Sequence, residues 1–170
     1  MKRRANKRGG RLSVLMNAVG TLLLAAVIIL CVPVTVPRMF GYQIYNVLTG
    51  SMEPAIPAGS LIYAENTEPS EIEEGDVIVF YSSVDAGVII THRVEENHRV
   101  SGEFITKGDA NAGRDPLPVE YECLLGKVIM TVPVLGGIFA MLVTVSGKIA
   151  VACMIGAAVI FLLIGSRCRR

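Results

Sequence analysis

Residues 12–36 read LSVLMNAVGTLLLAAVIILCVPVTV and contain no charged side chain. Crossing the hydrocarbon core of a bilayer takes about 20 predominantly apolar residues, so this stretch is long enough for one tilted transmembrane helix. Pro33 and Pro37 are expected to mark the outer end of that helix. The apolar content of the whole chain is 52%, above the roughly 45–50% typical of soluble proteins, and this also indicates that part of the chain lies in lipid.

A secretory signal peptide is the alternative interpretation of this stretch, because a basic leader precedes it. The apolar run is longer than the about 7–15 residues of a typical signal core. In addition, Val34-Thr35-Val36 lacks the small residues that a cleavage site requires. We therefore expect an uncleaved anchor. The basic residues of the leader are Lys2, Arg3, Arg4, Lys7, Arg8 and Arg11.

Two further apolar runs lie near the other terminus. Ile149–Gly165 is uncharged over seventeen residues, at the short end of the spanning range, and basic residues follow it. We expect it to cross the membrane as well. Val132–Val145 is apolar but only fourteen residues long, and Pro133 and two glycines interrupt its beginning. It is therefore predicted to be an interfacial or domain-packing segment and not a third crossing.

Charge is distributed unevenly along the chain. Six Lys/Arg precede the first span and three follow the second, whereas all fifteen Asp/Glu lie between Arg38 and Lys127. Basic flanks favour the cytoplasmic side, so both termini are expected in the cytoplasm and the middle region outside. That middle region has six basic residues against fifteen acidic ones, a formal charge of −9. Nucleic acid is therefore not expected as a partner, while the basic tails suit anionic lipid head groups.

The middle region alternates short β-rich runs with turn residues, and it sustains no helical period. This pattern predicts a mainly β fold, a small β domain between two transmembrane helices. The predicted strands are Tyr42–Leu48, Leu61–Ala64, Val77–Tyr81, Val88–Val94, Phe104–Thr106 and Val128–Thr131, with one turn at Asp85-Ala86-Gly87. The predicted organisation is a basic leader (1–11), a first span (12–36), a β domain (37–131), an apolar segment (132–148), a second span (149–165) and a basic tail (166–170).

One serine of the β domain stands in an unusual setting. Residues 45–60 read YNVLTGSMEPAIPAGS, in which Gly50 precedes Ser51 and prolines follow it. Gly50 permits a close backbone approach or unusual dihedral angles, and the prolines stiffen the loop, which suits a positioned nucleophile. The Ser51 amide is a candidate oxyanion donor. For an arbitrary Gly-Ser pair, a turn serine bonded to its own backbone is the more ordinary interpretation.

A serine hydroxyl is a weak nucleophile and needs a base. An unperturbed imidazole has a pKa of about 6.5 and accepts a proton near neutral pH, so His92 is the preferred base. Lys107 is the alternative, since burial can depress a lysine pKa, although pairing with an acid is the more ordinary role for it. The acidic residues Asp109 and Asp115 can orient a base, or can simply form turns.

A metal site is disfavoured by the spacing of the histidines. His98 lies in Glu95-Glu96-Asn97-His98, which resembles a polar hairpin loop, and both its ring and the two glutamates are expected to be solvated. If the chain is one continuous strand, six residues place His92 and His98 about 20 Å apart, too far for a shared ion. The sequence contains neither Cys-x-x-Cys nor His-Glu-x-x-His. Of its four cysteines, only Cys123 lies in the β domain.

The motif Gly50-Ser51-Met52-Glu53-Pro54 resembles the Gly-Ser-Met-x-Pro motif of type I signal peptidases. The resemblance extends through His92-Arg93-Val94 to Gly108-Asp109-Ala110-Asn111 and Asp115. Histidine in place of the lysine of the bacterial housekeeping enzymes is similar to the Ser-His branch found in the endoplasmic reticulum, archaea and some sporulation-associated enzymes.

The resemblance implies a membrane-bound serine endopeptidase, acting without a cofactor, that removes signal peptides from exported preproteins. It further implies Ser51, His92 and Asp115 as a triad and Asp109 as a supporting acid. The alternative from another class of function is a membrane-anchored binding or scaffold module in which the serine is inert.

Overall fold

The computed structural model describes residues 2–83 and 87–167. The predicted turn at Asp85-Ala86-Gly87 falls largely outside these residues, as does the end of the basic tail. The chain divides into two compact units: Val36–Ala140, and Met1–Thr35 together with Met141–Arg170.

The first helix, α1 (Lys2–Met39), is longer than the predicted span at both ends. It includes the basic leader, and it continues through Pro33 and Pro37, so the prediction that these prolines mark its end was wrong. Ending the helix in this apolar stretch would leave several backbone groups unpaired, which costs more than the one hydrogen bond that a proline removes. Residues Arg11–Met39 are long and apolar enough to cross a membrane.

Two helices follow the β region, α2 (Leu135–Val143) and α3 (Val145–Arg167). The predicted break at the start of the apolar segment is only partly seen, because its two glycines lie in the first turn of α2. Thr144 separates the helices, and its Oγ1 accepts a hydrogen bond from the Gly147 N–H at 3.0 Å, which caps the N-terminus of α3. Helix α3 includes the predicted second span and is also long enough to cross a membrane.

Helices α1 and α3 pack against each other through small residues. Ser13 Oγ donates to the carbonyl oxygen of Gly165 at 2.6 Å. A Cβ on Gly20 would lie 2.8 Å from Leu162 Cγ and 2.9 Å from the Ala158 carbonyl oxygen. Small side chains let helix backbones approach closely, so glycine at these positions allows the two apolar helices to pair.

Among the residues that the structure describes, the β domain forms one antiparallel sheet of seven strands in the order β1-β2-β7-β3-β4-β5-β6. The strands are β1 (Gln43–Asn46), β2 (Leu61–Glu65), β3 (Val77–Tyr81), β4 (Ile89–His98), β5 (Glu103–Lys107), β6 (Val119–Glu120) and β7 (Leu124–Val132). The predicted mainly β fold is confirmed, and each predicted strand has a counterpart. Strand β6, with two residues, was not predicted.

Strand β4 corrects one expectation. The prediction ended this strand at Val94 and assigned the following polar residues to a hairpin loop, but β4 continues to His98. Asn97 and His98 pair with Phe104 and Glu103 of β5 after a register shift just beyond Val94. Polar side chains are compatible with a strand that is only partly buried, so composition alone did not reveal the pairing.

Strand β3 lies between the two hydrophobic clusters of the domain, because successive side chains of a strand point to opposite faces. Val79 belongs to a cluster with Val47, Met52, Ile56, Ile62 and Ala64. Ile78 and Phe80 belong to a second cluster with Ile72, Val94, Phe104 and Val119.

Residues 47–60 form the serine loop, which the first cluster anchors. At its base, the Val47 N–H donates to the Ser60 carbonyl oxygen at 2.9 Å, and the Gly59 N–H donates to that of Val47 at 2.8 Å. Within it, Met52 is 1% exposed and lies in the cluster. The loop is closed by hydrogen bonds at its ends and is anchored in the core by Met52. Ser51, the residue before Met52, therefore has little freedom to move.

Candidate active site

The serine loop presents Ser51 at the surface of the sheet. The carbonyl oxygen of Ser51 accepts a hydrogen bond from the Ala110 N–H at 2.8 Å, and its Oγ lies 3.4 Å from Thr49 Oγ1. Gly50 does not adopt a left-handed conformation. A Cβ there would lie 3.1 Å from Cδ of Glu53, the end of an exposed side chain that can shift, so no close backbone approach is seen at this glycine.

Strand β4 carries His92, whose side chain is largely buried. The residue is 8% exposed, and its ring meets Phe80 edge to face at a centroid distance of 6.4 Å. Nε2 of His92 lies 3.1 Å from Ser51 Oγ. The sheet therefore brings together two residues that are 41 positions apart in the chain.

Asp115 lies on the other side of the imidazole. Its Oδ2 is 2.6 Å from Nδ1 of His92 and also accepts a hydrogen bond from Thr106 Oγ1 at 2.6 Å. The Asp115 N–H donates to the Thr106 carbonyl oxygen at 2.9 Å. Both the backbone and the side chain of Asp115 are thus bonded to one residue of β5.

The order of these groups favours one tautomer of the imidazole. An ionised carboxylate only accepts hydrogen bonds, so a neutral His92 ring bonded to Asp115 would carry its proton on Nδ1. Nε2 would then present a lone pair to Ser51 Oγ. This is the arrangement in which an imidazole can take the proton of a hydroxyl nucleophile.

Asp109, expected as a supporting acid, contacts Arg93 and not the imidazole. Arg93 Nε and Nη2 donate to its two carboxylate oxygens at 2.8 and 2.7 Å, and Nη1 donates to the Gly75 carbonyl oxygen at 2.6 Å. The hydrogen bonds that Arg93 donates to the Asp109 carboxylate raise the pKa of Arg93 above its ordinary value. This bidentate pair ties the loop after β5 to the strand that carries His92.

Gly108 lies close to both the main chain of Ser51 and the ring of His92. A Cβ at this position would lie 2.7 Å from the Ser51 carbonyl oxygen and 2.9 Å from His92 Nε2. A third contact, 2.7 Å, would be with Asn111 Nδ2. The loop after β5 can approach the serine and the histidine this closely only because residue 108 has no side chain.

The Ser51 N–H is the candidate oxyanion donor. Within residues 2–83 and 87–167, no hydrogen-bond acceptor is found for it. Backbone N–H groups of this kind stabilise the negative oxygen of a tetrahedral intermediate.

The alternative base, Lys107, pairs with an acid, as its ordinary role suggested. Its Nζ lies 4.0 Å from Glu95 Oε1, whereas it is Nε2 of His92 that reaches Ser51 Oγ. Glu95 was expected to be simply solvated, but it also accepts from Arg114 Nε at 2.6 Å.

His98 is exposed, as expected, and it is paired with acids. Its Nε2 lies 2.9 Å from Glu96 Oε2 and its Nδ1 lies 3.6 Å from Glu103 Oε1. Glu96, expected to be solvated, also binds Arg114 at 2.7 Å. The hydrogen bond to Glu96 raises the pKa of His98, and the hydrogen bonds from His98 and then Arg114 lower that of Glu96.

Two residues of the site were not singled out from the sequence. Met52 was quoted only as part of a motif, and Thr106 only as the end of a predicted strand. The burial pattern of β5 contains a signal for Thr106, because Phe104 and Thr106 are two residues apart and both are buried on the same face of the strand. A threonine on an inward face needs a hydrogen-bond partner, and that requirement points to a buried polar group nearby.

Comparisons with known proteins show the family of the chain. The family model described as signal peptidase, peptidase S26, matches residues 19–95, a range that includes Ser51 and His92. Signal peptidase I W of Bacillus subtilis is 44% identical over 89 residues, which cover 51% of this chain and 46% of that protein.

The signal peptidase complex catalytic subunit SEC11 of Ogataea parapolymorpha is 33% identical over 123 residues, covering 60% of this chain and 68% of that protein. SEC11 of Eremothecium gossypii is 45% identical over 73 residues, covering 41% and 42%. The chain belongs to the signal peptidase family, peptidase S26. It spans about half the length of the Bacillus subtilis relative.

Proposed function

We propose that the chain is a serine endopeptidase in which Ser51 is the nucleophile, His92 the general base and Asp115 the residue that orients the base. The observation that carries this proposal is the unbroken series of contacts from Ser51 Oγ to His92 Nε2 (3.1 Å) and from His92 Nδ1 to Asp115 Oδ2 (2.6 Å). Membership of the signal peptidase family supports the same assignment.

In this scheme Ser51 Oγ bonds to the scissile carbonyl carbon as its proton passes to Nε2 of His92. The carbonyl oxygen becomes an oxyanion, which the Ser51 N–H stabilises; loss of one such donor typically costs about 10²–10³ in kcat. The carbon–nitrogen bond then breaks, and the leaving amine takes the proton from Nε2. Water, activated in the same way, hydrolyses the resulting ester. Side chains, backbone and water suffice for every step, so no cofactor is invoked.

The proposed substrates are the signal peptides of exported preproteins. The names of the relatives support this, and so does the chain's own composition, with two helices that are long and apolar enough for a bilayer. In the proposed topology the enzyme is a multi-pass protein of the cell membrane, with both termini cytoplasmic and the β domain (37–131) outside. The excess of basic residues in the flanks supports this orientation.

The apolar segment (132–148) is proposed to pack on the β domain where it begins. The Gly137 N–H donates to the Gly59 carbonyl oxygen at 3.3 Å. A Cβ on Gly136 would lie 2.5 Å from the Ser60 carbonyl oxygen, so this turn of α2 lies directly against the end of the serine loop.

Incubation of the purified full chain in detergent with a preprotein tests the proposal. Cleavage by the parent and its loss in Ser51→Ala are expected, together with retention in Ser101→Ala, which removes an exposed hydroxyl at the β4–β5 turn. N-terminal sequencing of the product locates the cut. Equal processing by Ser51→Ala and the parent would refute the enzyme and favour the scaffold module.

A further inference from the structure

We propose that Thr106 is a positioning residue of this site: its buried hydroxyl holds Asp115 in the orientation that keeps the proton of His92 on Nδ1. The inference rests on the proposed function for its catalytic consequence. Its structural content, the control of the imidazole tautomer, can be measured without catalysis.

The geometry at Asp115 Oδ2 carries the argument. This one oxygen accepts both from Thr106 Oγ1 and from His92 Nδ1, each at 2.6 Å. The threonine hydroxyl therefore fixes the same carboxylate oxygen that the histidine uses. Rotation of the carboxylate away from the ring would break both hydrogen bonds together.

The position of Thr106 makes it a rigid support. The residue is fully buried and lies in β5, where it pairs with Val94 of β4, two residues beyond His92. Asp115, by contrast, follows an irregular loop and belongs to no strand. The Asp115 N–H also donates to the Thr106 carbonyl oxygen at 2.9 Å. Thr106, which the sheet holds rigidly, therefore fixes the position of the Asp115 carboxylate.

A hydroxyl at this depth needs an acceptor, and Asp115 supplies it. Valine has the branched shape of threonine but no hydroxyl, so it removes the donor. The carboxylate then loses one of the two contacts that define its orientation. Because the tautomer of an imidazole is set by the partner of its other nitrogen, a carboxylate that moves allows the proton to reach Nε2 as well. In that tautomer the ring cannot accept a proton from Ser51.

Steady-state kinetics of the full chain on a preprotein provide the first test. Thr106→Val is expected to lower kcat by about 10²-fold, the order of loss produced by small misplacements in an active site, with KM nearly unchanged. Thr106→Ser and Thr106→Cys form a matched pair, since both lack the methyl group and only serine offers a strong donor. Serine is expected to restore most of kcat and cysteine much less. This pair keeps the test decisive if the valine variant does not fold.

Nitrogen NMR of histidine-labelled protein provides the second test. The chain has two histidines, so in His98→Gln the histidine signals come from His92 only. In this background we expect one dominant tautomer with Thr106 present and a mixture of tautomers in Thr106→Val. Thermal unfolding of each variant monitors the fold.

The two readouts separate the possible failures. An unchanged tautomer in folded Thr106→Val, or equal kcat for the serine and cysteine variants, would overturn the positioning role and leave Thr106 as a packing residue. If the parent cleaves no preprotein, the proposed function fails, and the tautomer measurement still decides the role of Thr106.

Discussion

The backbone N–H of Ala110 donates to the carbonyl oxygen of Ser51 at 2.8 Å, so the loop after β5 holds the serine by its main chain. The same loop brings Gly108 against His92, and its Asp109 is clamped by Arg93. One short segment therefore controls the distance between the hydroxyl and the imidazole.

Gly108→Ala is expected to abolish turnover while the sheet remains folded. The new methyl group would lie 2.7 Å from the Ser51 carbonyl oxygen and 2.9 Å from His92 Nε2, distances at which something must move. The Ser51 backbone and the His92 ring must then shift to relieve these contacts, and we expect the separation of 3.1 Å between Ser51 Oγ and His92 Nε2 to increase. Preprotein cleavage and circular dichroism measure the two effects.

The matched control for this substitution is Gly113→Ala, in the same region. A Cβ there meets no atom within 4 Å, and its φ lies outside the left-handed range. We expect parental activity from it. Parental activity from Gly108→Ala as well would show that the loop yields easily, contrary to the close approach described above.

Asp109→Asn is expected to lower both kcat and stability. The amide keeps the size of the carboxylate but loses the charge-assisted pair with Arg93, so the loop that holds Ser51 becomes less constrained. Activity assays and thermal unfolding measure the two consequences.

Asp76→Asn is the control for this prediction. Lys127 Nζ lies 2.7 Å from Asp76 Oδ2, and the exposed fractions of the two side chains nearly match those of the Arg93–Asp109 pair. Loss of the Lys127–Asp76 pair is expected to lower stability and to leave kcat unchanged. Equal kcat for both variants would mean that the Arg93–Asp109 pair has no part in holding the site.

Met52→Ala is expected to destabilise the β domain by about 2–5 kcal/mol, the usual cost of truncating a buried methionine. The side chain is 1% exposed and packs with Val47, Ile56 and Ile62. Met52→Leu conserves volume and should cost less than about 1.5 kcal/mol. Denaturant unfolding measures both. Met130, 55% exposed, is the control, and its replacement by alanine should stay within about 0.5 kcal/mol of the parent.

The His98–Glu96 pair predicts a small pH dependence of stability. The pKa of His98 is raised in the folded protein, so the pair stabilises the fold fully at pH values below about 6.5, the ordinary imidazole pKa. This stabilisation is lost as the pH rises through the higher pKa of the folded state. The pKa of Glu96 is lowered in the folded protein, so its contribution to stability is present at pH values above the ordinary carboxyl pKa. It is lost as the pH falls through the lower pKa of the folded state.

His98→Gln should therefore be less stable than the parent near pH 5.5–6, by roughly the small amount typical of exposed pairs, and should approach it near pH 8. Thermal unfolding across this range measures the difference, and added salt should reduce it because both groups are exposed. A difference that grows towards pH 8 would contradict the pairing.

Much of the β domain was predictable because its central strands are short apolar runs bounded by turns. Val77–Tyr81 was predicted with the bounds that β3 has in the structure. The second half of β4 was missed because its polar residues look like a loop until their partners in β5 are known. The end of α1 was missed because a proline was given more weight than the requirement to pair the backbone in an apolar stretch.

The candidate site was harder to predict than the strands from local sequence patterns. Ser51 and His92 are 41 residues apart, and Asp115 follows His92 by 23. No spacing rule brings such residues together, and resemblance to a family supplied the combination. The role of Thr106 required the structure, since only the fold shows which carboxylate its hydroxyl meets.

Met52 is buried in the hydrophobic interior and directly follows Ser51, the proposed nucleophile. Heat inactivation should consequently superimpose on the melting curve of the sheet, with no separate loss of function at lower temperature. Adaptation of this protein to a colder or hotter habitat would then proceed through the aliphatic residues around Met52, while the reacting groups stay as they are.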